Sequence, residues 1–138
     1  MFIFETQIRV RYGETDQMGY VYYGNYAEYY EVARVEMLRT LGTSYKEMEA
    51  GRVMMPVLDL RCKYIKPARY DELITIKVSI PILPSLRIKF NYELFNERKE
   101  LINVGETTLV FIDMDKNKPC LPPKDFMNLL APYFKERA

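Results

Sequence analysis

Between Arg11 and Glu31 the chain reads RYGETDQMGYVYYGNYAEYYE, with Asp16 set between Thr15 and Gln17 ahead of a run of tyrosines. Two roles suit such an aspartate. It can close a turn through its own backbone, or it can act as an ionised carboxylate that attacks or deprotonates. The rest of the composition narrows the chemistry, because the chain contains no histidine. Ser-His-Asp and Cys-His arrangements, histidine zinc sites and a His base are therefore excluded. Cys62 and Cys120 form no CxxC pair and are too few for a structural zinc site. Without a cofactor, attack or proton transfer falls to a carboxylate, a lysine or a tyrosine. Asp113 and Asp115 resemble a metal pair by spacing, but no further ligands cluster near them, and they read as the solvated end of a hairpin.

The elements that must position Asp16 are legible from periodicity. Residues 2–12 read as a first strand, with Phe2, Phe4, Ile8, Val10 and Tyr12 on one parity. GETDQMG breaks that pattern as a loop. From Asn25 the period changes: Tyr26, Tyr29, Tyr30, Ala33, Met37 and Leu41 recur at helical spacing. This predicts a helix over 25–41, capped by Asn25 and closed by Gly42, with a short second helix over 43–50. VLDLRCKYI, LITIKVSI, LRIKFNYELF and LINVGETTLVFIDMD follow as strands, and KDFMNLLAPYF as a helical segment interrupted by Pro132. Arg34 and Glu36 are expected in salt bridges or a subunit contact.

At 138 residues the chain is expected to form one domain, 1–138. The fold class is α+β: a mostly antiparallel sheet packed on one long helix, with the sheet's other face needing cover from a symmetric dimer. The 20 basic and 19 acidic side chains nearly cancel, so no global field recruits nucleic acid or an anionic membrane. No apolar run approaches the ~20 residues of a membrane span. MFIFETQIRV has neither the basic start nor the apolar core of a secretion signal, and the expected compartment is the cytoplasm.

Several stretches are more specific than these patterns. A strand ending R-V-R-Y, then T-D-x-M-G-x-V-Y-Y-x-N-Y, then a helix carrying Y-x-E-x-A-R-x-E resembles the hot-dog fold acyl-CoA thioesterases. In particular it is similar to the 4-hydroxybenzoyl-CoA thioesterase group, which includes enzymes encoded beside Tol-Pal components. KYIKPARYDEL and KPCLPPKDF fit the same family, so the likeness runs along nearly the whole chain.

The resemblance implies a five-stranded antiparallel sheet wrapped around one long central helix, and hydrolysis of acyl-CoA thioesters. It makes Asp16 the catalytic carboxylate. It also makes the main-chain N–H at Tyr23, where many members carry His, the oxyanion donor, with Gly24 beside it. Helix N-termini leave such N–H groups unpaired and carry about half a positive charge, which suits a thioester oxygen. Gly24 has no Cβ to obstruct a substrate.

Coenzyme A is then part of substrate and product, with no separate cofactor and no metal. Pro67 and Ala68 are implied along its pantetheine arm. Arg69, Arg87, Lys89 and Lys118, beside Lys66 and Lys116, are candidates by position for its phosphates. The family further implies a homodimer or homotetramer with the sites at a subunit interface. Two other readings remain: a different hot-dog enzyme such as a hydratase, and a non-catalytic module that binds acyl-CoA or an acyl carrier.

Overall fold

The structure, a computed structural model, describes residues 1–135. Strand β1 (Phe2–Arg9) leads through a short 3-10 turn (Tyr12–Glu14) and a loop into helix α1 (Asn25–Leu41), then α2 (Tyr45–Ala50). Strands β2 (Val53–Met54), β3 (Val57–Tyr64), β4 (Leu73–Ile80), β5 (Arg87–Phe95) and β6 (Leu101–Val110) follow. The short β7 (Ile112–Asp113), β8 (Lys118–Pro119) and helix α3 (Lys124–Leu130) close the described chain, with a 3-10 turn at Ala131–Phe134.

Five strands form one antiparallel sheet in the order β1-β4-β5-β6-β3. Alternation sets its inner face: Ile74, Ile76, Val78 and Ile80 of β4 and Ile88, Phe90, Tyr92 and Leu94 of β5 are all buried. Burying each such side chain is worth about 1.5–3 kcal/mol. Helix α1 lies against this face, chiefly over β1 and β4. It contributes Tyr26, Tyr29, Tyr30, Ala33, Met37 and Leu38 to the core. Gly42 closes it in the left-handed region, φ 103°, its N–H donating to the Leu38 and Arg39 carbonyls. This is the expected sheet around a long helix.

Four details differ from the expectations above. The first strand stops at Arg9, and Tyr12 sits exposed in the turn beyond it, which is closed by the Arg11 N–H donating to the Glu14 carboxylate and the Glu14 N–H to the Arg11 carbonyl. Asn25 does not cap α1. Gly24 occupies that position with helical angles and no side chain, while Asn25 Nδ2 donates to the Glu14 carbonyl at 2.8 Å. The last strand breaks at buried Phe111, and β7 turns away to pair with β2 and β8 in a second small sheet. Among the described residues Arg34 makes no ion pair. It is buried, and its guanidinium donates to the hydroxyls of Tyr45 and Tyr92 at 3.1 and 3.0 Å. Glu36 does pair, with Arg39, and Asp113 caps the hairpin end through the N–H groups of Asp115 and Lys116.

The outer face of the sheet is polar rather than apolar. Lys77–Glu93, Lys89–Glu106 and Arg61–Glu106 pair across neighbouring strands at 3.9, 3.2 and 3.6 Å. A run of exposed apolar side chains lies on edge strand β3, where Val57, Leu58, Leu60 and Tyr64 are 41–52% exposed.

Candidate active site

The loop between β1 and α1 is held in place by backbone bonds together with the buried side chain of Val21. The Asp16 N–H donates to the Tyr20 carbonyl at 2.8 Å, and the Gly19 N–H returns to the Asp16 carbonyl at 3.0 Å. Gly19 takes φ 80°, which a residue with a Cβ adopts only under strain. One carboxylate oxygen of Asp16, Oδ1, accepts from the N–H groups of Met18 and Tyr20 at 2.9 and 3.2 Å. The other, Oδ2, has no protein donor among the described residues. The aspartate thus closes a turn with one oxygen and leaves the other without a protein partner.

Asp16 lines a cavity of about 270 Å³. Tyr20, Val21, Tyr23 and Tyr26 form one side of it. Tyr64, Ile65, Lys66 and Pro67, at the end of β3, form the other, with Met18 also at the lining. The walls are mostly aromatic and aliphatic, the character of a small-molecule site. Burial pushes the Tyr26 phenol up to about 12, so it stays protonated at neutral pH. Lys66 is already engaged: its ammonium, with Asn96 and Arg98, holds the Glu100 carboxyl at about 2.

Tyr23 lines this cavity together with Asp16, and Gly24 follows it at the start of α1. Among the described residues neither the Tyr23 nor the Gly24 N–H donates to a protein acceptor. The carbonyls beside them are taken: that of Tyr22 by the Asn25 N–H at 2.9 Å, that of Tyr23 by the Tyr64 hydroxyl at 3.2 Å. Gly24 has a second reason to lack a side chain, since a Cβ there would lie 2.8 Å from the Tyr22 ring.

The remaining candidates divide. Pro67 lines the cavity, and buried Ala68 holds the loop from behind, its carbonyl accepting the Val21 N–H at 2.8 Å. Arg69 lies 4.9 Å over the Tyr20 ring. Arg87 and Lys89 sit on β5 and Lys118 on β8, and none of the three lines this cavity.

A profile of the thioesterase-like superfamily matches residues 10–130. The chain belongs to that superfamily. Among curated relatives, the acyl-CoA thioester hydrolase YbgC of Escherichia coli is 34% identical over 125 residues, covering 91% of this chain and 93% of the relative. Among solved structures, the DHNA-CoA thioesterase of Staphylococcus aureus superposes with a TM-score of 0.91 at 38% identity, covering 96% of this chain and 91% of that one. A 4-hydroxybenzoyl-CoA thioesterase superposes at 0.82 over 92% of this chain and 97% of its own, at 18% identity, a likeness of hot-dog fold alone.

Within this superfamily member, sequence reasoning passes over Glu14, two residues before Asp16. It is a buried carboxylate that accepts from the Arg11 N–H and guanidinium at 2.8 and 3.0 Å and from the Tyr29 hydroxyl at 3.0 Å. Burial raises its pKa, but the Arg11 and Tyr29 hydrogen bonds outweigh burial and leave it below the ordinary value of 4.5. A depressed carboxylate contributes stability that is present above its unfolded pKa and lost as pH falls through its folded one. The difference in melting midpoint between wild type and Glu14→Gln is therefore expected to be largest above about pH 4.5 and to shrink on further acidification. Thermal melts across that range measure it, and a difference that grows towards acid would contradict the assignment.

Proposed function

We propose that the protein hydrolyses acyl-CoA thioesters to free acid and coenzyme A, with Asp16 as the reacting carboxylate. The observation that carries this reading is that Asp16, with a carboxylate oxygen lacking a protein donor, and Tyr23 line one apolar cavity, and that the main-chain N–H groups of Tyr23 and of the adjoining Gly24 are unpaired. The thioester carbonyl oxygen accepts from the Tyr23 and Gly24 N–H groups, which stabilise the charge that develops on it. Asp16 attacks the carbonyl carbon, giving a mixed anhydride that water opens, or takes the proton of a water that attacks in its place. Either way the C–S bond breaks and coenzyme A leaves as a thiolate, a leaving group good enough to need no strong acid. The missing histidine is consistent with that economy. Neither a metal nor a further cofactor is required by this scheme.

Pro67 on the cavity lining serves the pantetheine arm, with buried Ala68 supporting that wall from behind, and Arg69 beside them is a candidate for the phosphates. Arg87, Lys89 and Lys118 remain candidates for the phosphates, reached across the sheet surface or from a second subunit. The relatives' names, an acyl-CoA thioester hydrolase and a DHNA-CoA thioesterase, support a coenzyme A thioester as substrate class. Purified protein assayed for thiol release against aryl-, short- and long-chain acyl-CoAs tests the reading. Release from at least one member is expected. Tight binding with no release would mark a non-catalytic module, and enoyl-CoA hydration without release would mark a hydratase. Label found in the Asp16 carboxylate after a single turnover in heavy-oxygen water would mark the anhydride route, since a general-base route puts all of it into the product acid.

The whole chain acts as one domain within a homodimer, or a tetramer of such dimers, that sets the cavity at a subunit boundary. The exposed apolar residues of β3 support this, because an unpaired edge bearing them pairs readily with a second copy. Sedimentation is expected to give at least twice 16.4 kDa, and Leu60→Arg a monomer. A wild-type monomer at working concentration would refute the arrangement. No helix among the described residues is long and apolar enough to cross a membrane, and the free thiols Cys62 and Cys120 accord with a cytoplasmic setting.

A further inference from the structure

We infer that Glu14 is a positioning residue for the carbonyl site, acting through the backbone that presents the Tyr23 and Gly24 donors. This rests on the thioesterase reading above. The two donor N–H groups belong to the Tyr22–Tyr23 and Tyr23–Gly24 peptides, and in a trans planar peptide the N–H points opposite to the carbonyl. Their aim is therefore fixed by whatever fixes residues 22–25. Glu14 does so from beneath. Its carbonyl accepts the Tyr22 N–H and the Asn25 Nδ2–H, both at 2.8 Å, and so grips the segment on either side of the donors. Its carboxylate in turn is pinned to α1 by the Tyr29 hydroxyl and to the preceding turn by Arg11.

The arrangement joins three pieces of chain: the turn at 12–14, the donor segment and the first turns of α1. Asp16 follows Glu14 by two residues, and its loop starts from the same anchor. One buried side chain thus sets the spacing between the group that reacts and the donors that receive the charge. Tyr64 adds a lateral bond to the Tyr23 carbonyl, but it approaches from half-exposed β3 and touches only that one peptide. Glu14 is the buried member.

The experiment compares wild type, Glu14→Ala, Glu14→Gln and Tyr29→Phe by steady-state kinetics on the best acyl-CoA of the panel and by amide NMR. In Glu14→Ala, kcat is expected to fall about tenfold to a hundredfold with KM within about twofold, as for a misplaced donor that still binds ground-state substrate. The Tyr23 and Gly24 amide signals are expected to shift or broaden together. Glu14→Gln, which keeps an acceptor for the Arg11 N–H, is expected to restore most of kcat. Amide signals for 22–25 left in place would overturn the inference, as would a kcat loss that merely follows the folded fraction. Should Glu14→Ala fail to fold, Tyr29→Phe carries the test through the loss of one hydroxyl, and unchanged amides and rate there overturn it equally. Wild type that hydrolyses no panel member would sink the thioesterase reading, while the amide positions would still decide whether Glu14 holds the segment.

Discussion

Asp16→Asn is expected to reduce kcat by about two to four orders of magnitude while leaving the fold intact. The expectation follows from the division of labour between the two carboxylate oxygens. Oδ1 accepts from Met18 and Tyr20 N–H groups, and an asparagine oxygen can accept the same two bonds. The turn from Asp16 to Tyr20 is further closed by backbone bonds that no side chain touches. The substitution therefore removes the charge and basicity of the outward oxygen and little else, and the melting midpoint should stay within about 2 °C. Since Asn cannot form the anhydride or take a proton from water, KM should change far less than kcat. Activity undiminished in Asp16→Asn would remove the aspartate from the mechanism, whatever its place in the cavity.

The architecture was largely legible in the chain because its main elements carry strong periods. Ile74, Ile76, Val78 and Ile80 alternate without interruption, and each is buried. The tyrosines of α1 recur at helical spacing and end at Gly42, whose positive φ marks the stop. The parts that escaped have weak or displaced local signals. Two-residue strands such as β2, β7 and β8 are too short to show any period. Asn25 is a good capping residue by type, yet Gly24 already has helical angles, φ −67° and ψ −20°, so Asn25 falls inside the helix and its side chain is free to reach Glu14.

The site divides in the same manner. Asp16 and Tyr23, which share the cavity lining, are marked in the sequence by one short motif, and Pro67 by the proline turn of its loop. The cavity wall contributed by Tyr64 and Ile65 carries no such mark, since it depends on β3 being the edge strand beside the start of α1. Glu14 carries no local signal that sets it apart from the other acids of the chain. Its carboxylate is bonded to Arg11 and to Tyr29, the latter fifteen residues away along the chain. The outer sheet face was misjudged for a related reason. Alternation shows that Lys77, Lys89 and Glu93 point away from the core, but their neutralisation by partners on adjacent strands depends on register.

Gly105→Ala is expected to destabilise the protein by about 3 kcal/mol, the upper end for overpacking, and to lower the melting midpoint by roughly 10 °C. Gly105 sits on β6 opposite Cys62 and Tyr92, directly beneath Tyr30 of α1. A Cβ there would lie 2.6 Å from Tyr30 Cε2 and closer still to the hydroxyl, so something must move. Tyr30 cannot move easily. Its ring is stacked on Tyr92 with centroids 4.1 Å apart and planes within 10°, and its hydroxyl donates to the buried Asn103 side chain beside Cys62. Tyr92 in turn is bonded to Thr107 at 2.6 Å and to Arg34 at 3.0 Å. Displacing Tyr30 would leave buried Asn103 short of a donor, a cost added to the steric one. A shift of Tyr30 would also strain the first turns of α1, which carry Tyr26 and Tyr29 at the cavity and the Glu14 contact. Because the clash is with one side chain, Gly105→Ala combined with Tyr30→Leu should cost less than the sum of the two single changes. Strict additivity in that cycle, or a Gly105→Ala midpoint within about 2 °C of wild type, would show that the helix does not press on the sheet at this point.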